Sequence, residues 1–298
     1  MPSLRAFAEA LDCRLVVTQP DRPAGRGKRP QPTPVKAAAR NLGIAVIEPE
    51  RLHDALETLR AIEADLFAVA SYGKIVPQPI LDLPRLGALN VHPSLLPLYR
   101  GATPLQAQLR DGRTTGGVSI ILMDAGMDTG DLVLQENLII GPAETYGEFH
   151  DRAAALGAGL LARACAQALD GTLTRTPQAG LADAAQIAAT LTRPLASSDL
   201  ALDWQWPARR IVDFVRSLAP SPSARAELCG ERVKVLSATQ LPGRASAAPG
   251  TLLGTGDGMA QVASGDGIVG IGRLIPPNRG AMDGAAFAIA RTGKRAPS

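Results

Sequence analysis

Aromatic side chains make up only 3% of this 298-residue chain. The cationic stretch near its start, Asp21 to Lys36, holds none. That stretch has nothing on which nucleobases could stack, so any nucleic-acid contact there would run through phosphates. Cysteine is equally sparse. Cys13, Cys165 and Cys229 are odd in number and far apart, with no CxxC pair, which argues against a disulfide framework. With three histidines and no His/Cys cluster, a zinc site has no support, and no metal is expected. No run of 18 apolar residues occurs, and no apolar core follows a basic start. The expectation is a protein of a reducing cytoplasm with no membrane partner.

At 46% apolar, the chain can bury one large core or two modest ones. The formal net charge of +3 hides an uneven distribution. From Trp204 onward there are 12 Lys and Arg against 6 Asp and Glu, a balance of +6, which leaves −3 for the rest. A basic C-terminal third on a mildly acidic body suggests a polyanionic partner.

Along the chain, apolar periodicity predicts a helix over 2–11 and a short strand over 13–17, then a Pro/Gly/Arg-rich loop over 18–33. Thr33-Pro34 reads as an N-cap and first-turn proline of a helix closed by Gly43. Strands follow at 45–47, 65–71, 87–92, 118–123 and 132–139, with helices at 52–64, 103–112 and 145–169. This alternation predicts a parallel α/β sheet. Periodicity fades between Gly171 and Ser198, where a linker is expected. Beyond it lie one helical stretch, 208–218, and short apolar runs separated by Gly-Asp-Gly turns, a pattern that fits a small β-barrel. Gly254 to Gly258 resembles a phosphate-binding loop only superficially, since no helix pattern follows it. A β-turn is expected.

Two segments carry chemistry. Asn90 and His92 stand where a predicted buried strand runs out, and alternation points both to one side. The alternative is a capping Asn and a structural His. The loop Asp124 to Asp131 follows another strand with three carboxylates. It reads as an acidic turn, as a cation site whose spacing matches no Ca²⁺ loop, or as the source of one carboxylate, Asp128, that pairs with His92. An amide, an imidazole and a carboxylate suit an amine attacking an acyl carbon: an oxyanion is held, a proton leaves the amine, and the proton carrier is oriented. No nucleophilic Ser or Cys is then needed. Arg22, Arg26, Lys28, Arg29 and Lys36 decorate a loop that holds Gly25 and Gly27 and only Asp21 to oppose them, either simply solvated or placed to meet phosphates.

In these segments the chain strongly resembles the methionyl-tRNA formyltransferases. The matching segments are Thr18 to Lys28 (TQPDRPAGRGK), Asn90 to Pro97, Tyr99 to Gln106 (YRGATPLQ), Gly117 to Asp131 and Leu202 to Trp204. The resemblance implies that Asn90, His92 and Asp128 are catalytic, and that Ser94, Leu95, Leu96 and Pro97 contact the donor 10-formyltetrahydrofolate. It also implies that Arg26 meets the acceptor stem of initiator methionyl-tRNA, and that the C-terminal domain is an oligonucleotide-fold-like barrel. Two departures stand out. Members of the family begin with a strand and a Gly-Thr-Pro-type loop, whereas this chain opens at the following helix. Its sheet is therefore expected to lack its central first strand, from a misassigned start or in a catalytically impaired tRNA-binding protein. The family's Pro-Trp-Pro-like motif is also replaced near Ala219-Pro220-Ser221-Pro222.

The sequence reading is thus an α/β protein with a Rossmann-like, mostly parallel sheet and a small OB-like C-terminal barrel. Residues 1–176 form the catalytic domain, 177–200 a linker and 201–298 a tRNA-binding domain, in a chain expected to act as a monomer. The alternative activity is formyl transfer to a small amine, such as an amino sugar or glycinamide ribonucleotide.

Overall fold

The computed structural model describes residues 1–24 and 29–292. The chain forms two compact units that are not continuous in sequence. One comprises Met1–Ala102, Gly116–Leu138 and Asp151–Thr192; the other comprises Thr103–Thr115, Ile139–His150 and Arg193–Ser298.

The first unit opens with helix α1 (Pro2–Ala10) and strand β1 (Leu15–Val17). A short antiparallel hairpin of β2 (Arg22–Ala24) and β3 (Arg29–Gln31) comes next, pairing Pro23 with Pro30, in what the sequence reads as loop. Helix α2 (Pro34–Asn41) starts as expected: the Thr33 hydroxyl accepts from Lys36 N at 3.1 Å, and Pro34 supplies the first turn. Strand β4 (Ala45–Ile47) lies parallel to β1. The predicted helix over 52–64 forms as one 3-10 turn followed by α3 (Leu56–Ala61). Then come β5 (Phe67–Ala70), a short α4 (Gln78–Leu81) and β6 (Ala88–His92). Helix α5 (Pro104–Arg110) belongs to the second unit; β7 (Thr115–Leu122) and β8 (Leu132–Ile139) complete the first unit's strands.

These strands form two separate sheets, β1–β4 and β5–β6–β7–β8. β5 and β6 are parallel and β6 and β7 antiparallel, so the longer sheet is mixed. Among the described residues no strand precedes β1, and β1 and β5 are each hydrogen-bonded on one side only. They do not collapse together. Leu15, Val17 and Phe67 pack around one apolar cluster of Leu52, Ala55, Leu59 and Ile80, and Gln19 Nε2 donates to Tyr72 O at 3.1 Å just past the two strand ends. The expected central gap is therefore present, spanned by side chains rather than by ladder bonds.

Helix α6 (Tyr146–Asp170) lies over the sheet at Gly157, where a Cβ would come within 2.7 Å of Val91 Cγ1. A side chain there would push the helix off the strand that carries Asn90 and His92. The stretch expected as a linker holds α7 (Ala184–Ala189) and two bridges, Leu132 to Thr176 and Gly101 to Thr192.

In the second unit, α8 (Ala208–Leu218) buries Ala208, Ile211, Phe214, Val215 and Leu218, an apolar stripe at helical spacing. The stripe packs in one core with Val233, Val235, Val262, Val269 and Ile271. Each large side chain in it contributes roughly 1.5–3 kcal/mol by burial. The strands are β9 (Ala224–Leu228), β10 (Glu231–Leu241), β11 (Leu252–Gly256), β12 (Met259–Ala263), β13 (Ile268–Ile275) and β14 (Met282–Asp283). They form one antiparallel sheet in the order β11-β12-β13-β10-β9, with β14 on β13, and α9 (Gly284–Thr292) packs on β11, β12 and β13. Gly254 to Gly258 runs from β11 into the turn before β12, as its lack of a following helix predicts. Arg216 and Asp213, both buried, pair at 2.7 Å, and Arg216 also donates to the Gly141 and Glu144 carbonyls.

The base of the β2–β3 hairpin is pinned by a buried ion cluster. Lys36 Nζ lies 2.7 Å from Asp21 Oδ2 and 2.6 Å from Glu48 Oε2, with the lysine side chain only 8% exposed. These neighbours hold the Asp21 carboxyl below, and the Lys36 amine above, their ordinary values. Lys36→Met is expected to lower the melting temperature by leaving two half-buried carboxylates facing each other. The depressed Asp21 value makes its contribution present above the ordinary carboxylate range and lost on acidification. The raised Lys36 value makes its contribution full below the ordinary lysine range and lost in strong base. The gap between wild type and variant is therefore widest from about pH 4 to 10. Thermal melts across pH check this, and a gap unchanged at about pH 3, below the ordinary carboxylate range, would contradict it.

Candidate functional site

The site is built where β6 ends. Asn90 and His92 share one face of that strand, as alternation requires. Register places Asn90 beside Val69 of β5 and Ile121 of β7, and His92 beside Ser119. Asn90 is half-buried, and its side-chain amide is committed to no other described residue. His92 is 4% exposed. Its Nε2 lies 2.9 Å from the Tyr99 carbonyl, an acceptor only, so the proton sits on Nε2. Its Nδ1 then faces Asp128 Oδ2 at 3.5 Å, within ion-pair range but long for a hydrogen bond. Burial pushes the imidazole pKa down, while Asp128 and the Tyr99 carbonyl pull it back up. The ring is therefore neutral at rest, next to a carboxylate that favours its protonation.

Asp128 sits in the left-handed region at φ +55. Its Oδ2 accepts from Gly101 N at 2.8 Å. Gly101 is itself at φ +106, and a Cβ there would run into the Thr192 carbonyl, so only glycine brings this N–H to the carboxylate. The other acids of the loop have different places. Asp124 Oδ1 accepts from Gly126 N and Thr129 Oγ1 and so folds its own turn. Among the described residues, no group of three or more His, Cys, Asp or Glu side chains is placed to hold a metal.

The segment expected to meet the donor is largely occupied internally. Ser94 is buried; its Oγ donates to Leu98 O, and its carbonyl accepts from Ser119 Oγ. Leu96 is buried against Ile121 and Leu132, its carbonyl accepting from Gln135 Nε2. Pro97 is buried too, while Leu95 is only partly covered. Of the basic loop, Arg22 lies on β2 and Arg29 on β3, Lys36 is buried against Asp21 and Glu48 rather than offered to phosphates, and Arg26 and Lys28 fall outside the described residues. Two contributors have no local sequence signal. The Tyr99 carbonyl acts through backbone alone. Gln178, from the expected linker, donates to the carbonyls of Asp128 and Gly130.

An imidazole facing a carboxylate at a strand's carboxyl end, with an amide on the same face of that strand, can polarise a carbonyl and move a proton off an attacking amine. No helix among the described residues is long and apolar enough to cross a membrane. The formyl transferase family model matches residues 4–165, and the formyl transferase C-terminal domain model matches residues 194–291. The chain is 42% identical over 278 residues to a methionyl-tRNA formyltransferase of Halorhodospira halophila, covering 93% of this chain and 88% of that protein. It is 40% identical over 275 residues to one from Chloroflexus aggregans, covering 91% and 87%. An N-formyltransferase from Helicobacter canadensis, solved with folinic acid and dTDP-3-aminofucose, shares the fold at 16% identity and TM-score 0.65, over 92% of this chain and 93% of that one. HypX from Aquifex aeolicus with tetrahydrofolic acid does so at 17% identity and TM-score 0.62, over 85% of this chain and 43% of that one. Both matched domains and the relatives at about 40% identity agree: the chain belongs to the formyl transferase family.

Proposed function

We propose that the chain transfers the formyl group of 10-formyltetrahydrofolate to the amino group of methionine on initiator methionyl-tRNA. The approach of His92 to Asp128, with Asn90 on the same strand face as His92, carries the chemistry. The identity of about 40% to methionyl-tRNA formyltransferases over nearly the whole chain supports the acceptor.

The neutral methionyl amine attacks the formyl carbon, a C–N bond forms, and the carbonyl pair moves onto oxygen. The Asn90 amide donates to that oxygen. The attacking nitrogen gives up a proton, which His92 takes with the charge of Asp128 beside it. The same proton passes to N10 as the old C–N bond breaks, and tetrahydrofolate leaves as an amine. The segment Ser94, Leu95, Leu96 and Pro97 meets the folate through partly exposed Leu95, while its three buried members hold that segment in place. Arg22, Arg26, Lys28 and Arg29 and the basic C-terminal domain take the tRNA phosphates. The protein works in the cytoplasm as a monomer.

The test offers the purified chain 10-formyltetrahydrofolate with methionyl-tRNA, glycinamide ribonucleotide or a nucleotide-linked amino sugar. Formylation of the tRNA alone is expected. Transfer to a small amine with the tRNA untouched would replace this reading.

A further inference from the structure

Gln178 lies outside every segment that carries the family resemblance, yet it is 4% exposed and its side-chain amide is engaged at both ends. Its Oε1 accepts from Arg100 Nε at 3.2 Å and Nη2 at 2.7 Å. Its Nε2 donates to Asp128 O at 2.9 Å and Gly130 O at 2.7 Å. The amide cannot be flipped: a guanidinium has nothing to accept with and a carbonyl nothing to donate. The side chain therefore ties the turn that holds Asp128 in its left-handed conformation to the residue before Gly101, whose N–H grips the Asp128 carboxylate. Gln178 is itself anchored. Thr176 and Leu132 exchange backbone hydrogen bonds at 2.8 and 2.9 Å beside the loop's exit, and Thr192 N donates to Arg100 O at 2.9 Å on the other side.

We propose that Gln178 is a positioning residue for formyl transfer, acting through the backbone of the Asp128 turn to hold that carboxylate against His92. This rests on the reading that His92 and Asp128 serve the transfer. Without the clamp, two carbonyls have no donor and a non-glycine residue is free to leave its left-handed conformation, moving the carboxylate. Displacements of about 1 Å at a reacting group cost up to about a hundredfold in rate.

The experiment compares full-length Gln178→Leu and Gln178→Glu with wild type, Asp128→Asn and His92→Ala. Gln178→Glu keeps the shape and the acceptor for Arg100 but turns the donor into an acceptor facing two carbonyls. Both Gln178 variants are expected to fall roughly 10- to 100-fold in kcat with the donor KM within about twofold. The limb of the pH profile governed by His92 should also move to lower pH, because Asp128 no longer favours the charged ring. A purely structural role would reduce the active fraction and scale kcat without moving that limb. Where Gln178→Leu does not fold, Gln178→Glu and a His92 ring titration by NMR decide the matter. If Asp128→Asn and His92→Ala are inactive while a folded Gln178 variant keeps wild-type kcat and pH profile, the positioning role is overturned and the site reading stands. If Asp128→Asn and His92→Ala are fully active, the site reading itself fails.

Discussion

Asp128→Asn is expected to lower the turnover of formyl transfer by about a hundredfold or more, with the folate KM changed little. The substitution is close to isosteric. An Asn carbonyl still accepts from Gly101 N, which now lies 2.8 Å from the carboxylate, so the turn should keep its shape. What disappears is the negative charge 3.5 Å from His92 Nδ1. That charge matters most when His92 takes the amine's proton, because burial alone disfavours the charged ring. The effect is therefore concentrated in the transition state, and it should appear in kcat rather than in donor binding. His92→Ala removes the proton carrier and is expected to fall at least as far. The pH profile adds an independent check. With the charge gone, the imidazole pKa drops further, so the limb it governs in Asp128→Asn should shift toward acid. Rapid-quench turnover and steady-state profiles measure both effects. Near-normal turnover in either variant would remove His92 and Asp128 from the mechanism.

The parts of this site that were legible in the sequence are those fixed by local rules. Thr33-Pro34 starts a helix because an N-cap hydroxyl and a first-turn proline act on the backbone right beside them. Asn90 and His92 share a face because strand alternation is local, and the loop after β7 supplies Asp128 because ligand groups gather at strand ends. The parts that were not legible depend on distant partners. Pro23 and Pro30 argue against strands, yet they face each other in a two-stranded hairpin that needs no further ladder bonds. Gln178 lies between Pro177 and Gly180 in a stretch with no periodicity, and its worth comes from carbonyls about fifty positions earlier in the chain. The Tyr99 carbonyl that fixes the His92 tautomer belongs to a backbone any residue could supply. Chain pattern also predicts a parallel sheet without showing that β7 turns antiparallel to β6, because pairing direction is set by how the connection folds back.

Cationic residues in both the basic loop and the C-terminal sheet are expected to set tRNA affinity while leaving folate binding alone. In the C-terminal unit, strand register places Lys234 of β10 directly opposite Arg225 of β9, with Arg232 and its cross-strand partner Glu227 beside them on the same exposed face. Like charges facing each other across a sheet are unfavourable for folding, so the Arg225–Lys234 pair gains nothing in stability from its composition. An anionic partner would offset that repulsion. In the loop, Arg26 stands between Gly25 and Gly27 with no acid closer in sequence than Asp21, which Lys36 already engages. The measurement is tRNA affinity across a salt series for full-length Arg26→Ala and for the double variant Arg225→Ala, Lys234→Ala. Every phosphate left without its cation should weaken binding and flatten the log–log salt slope by up to about 0.9. The double variant should keep or raise its melting temperature, since it relieves that repulsion, and folate affinity should be unchanged in both. If affinity and slope match wild type in both variants, these cations are solvated surface, and a small amine becomes the better acceptor for the formyl group.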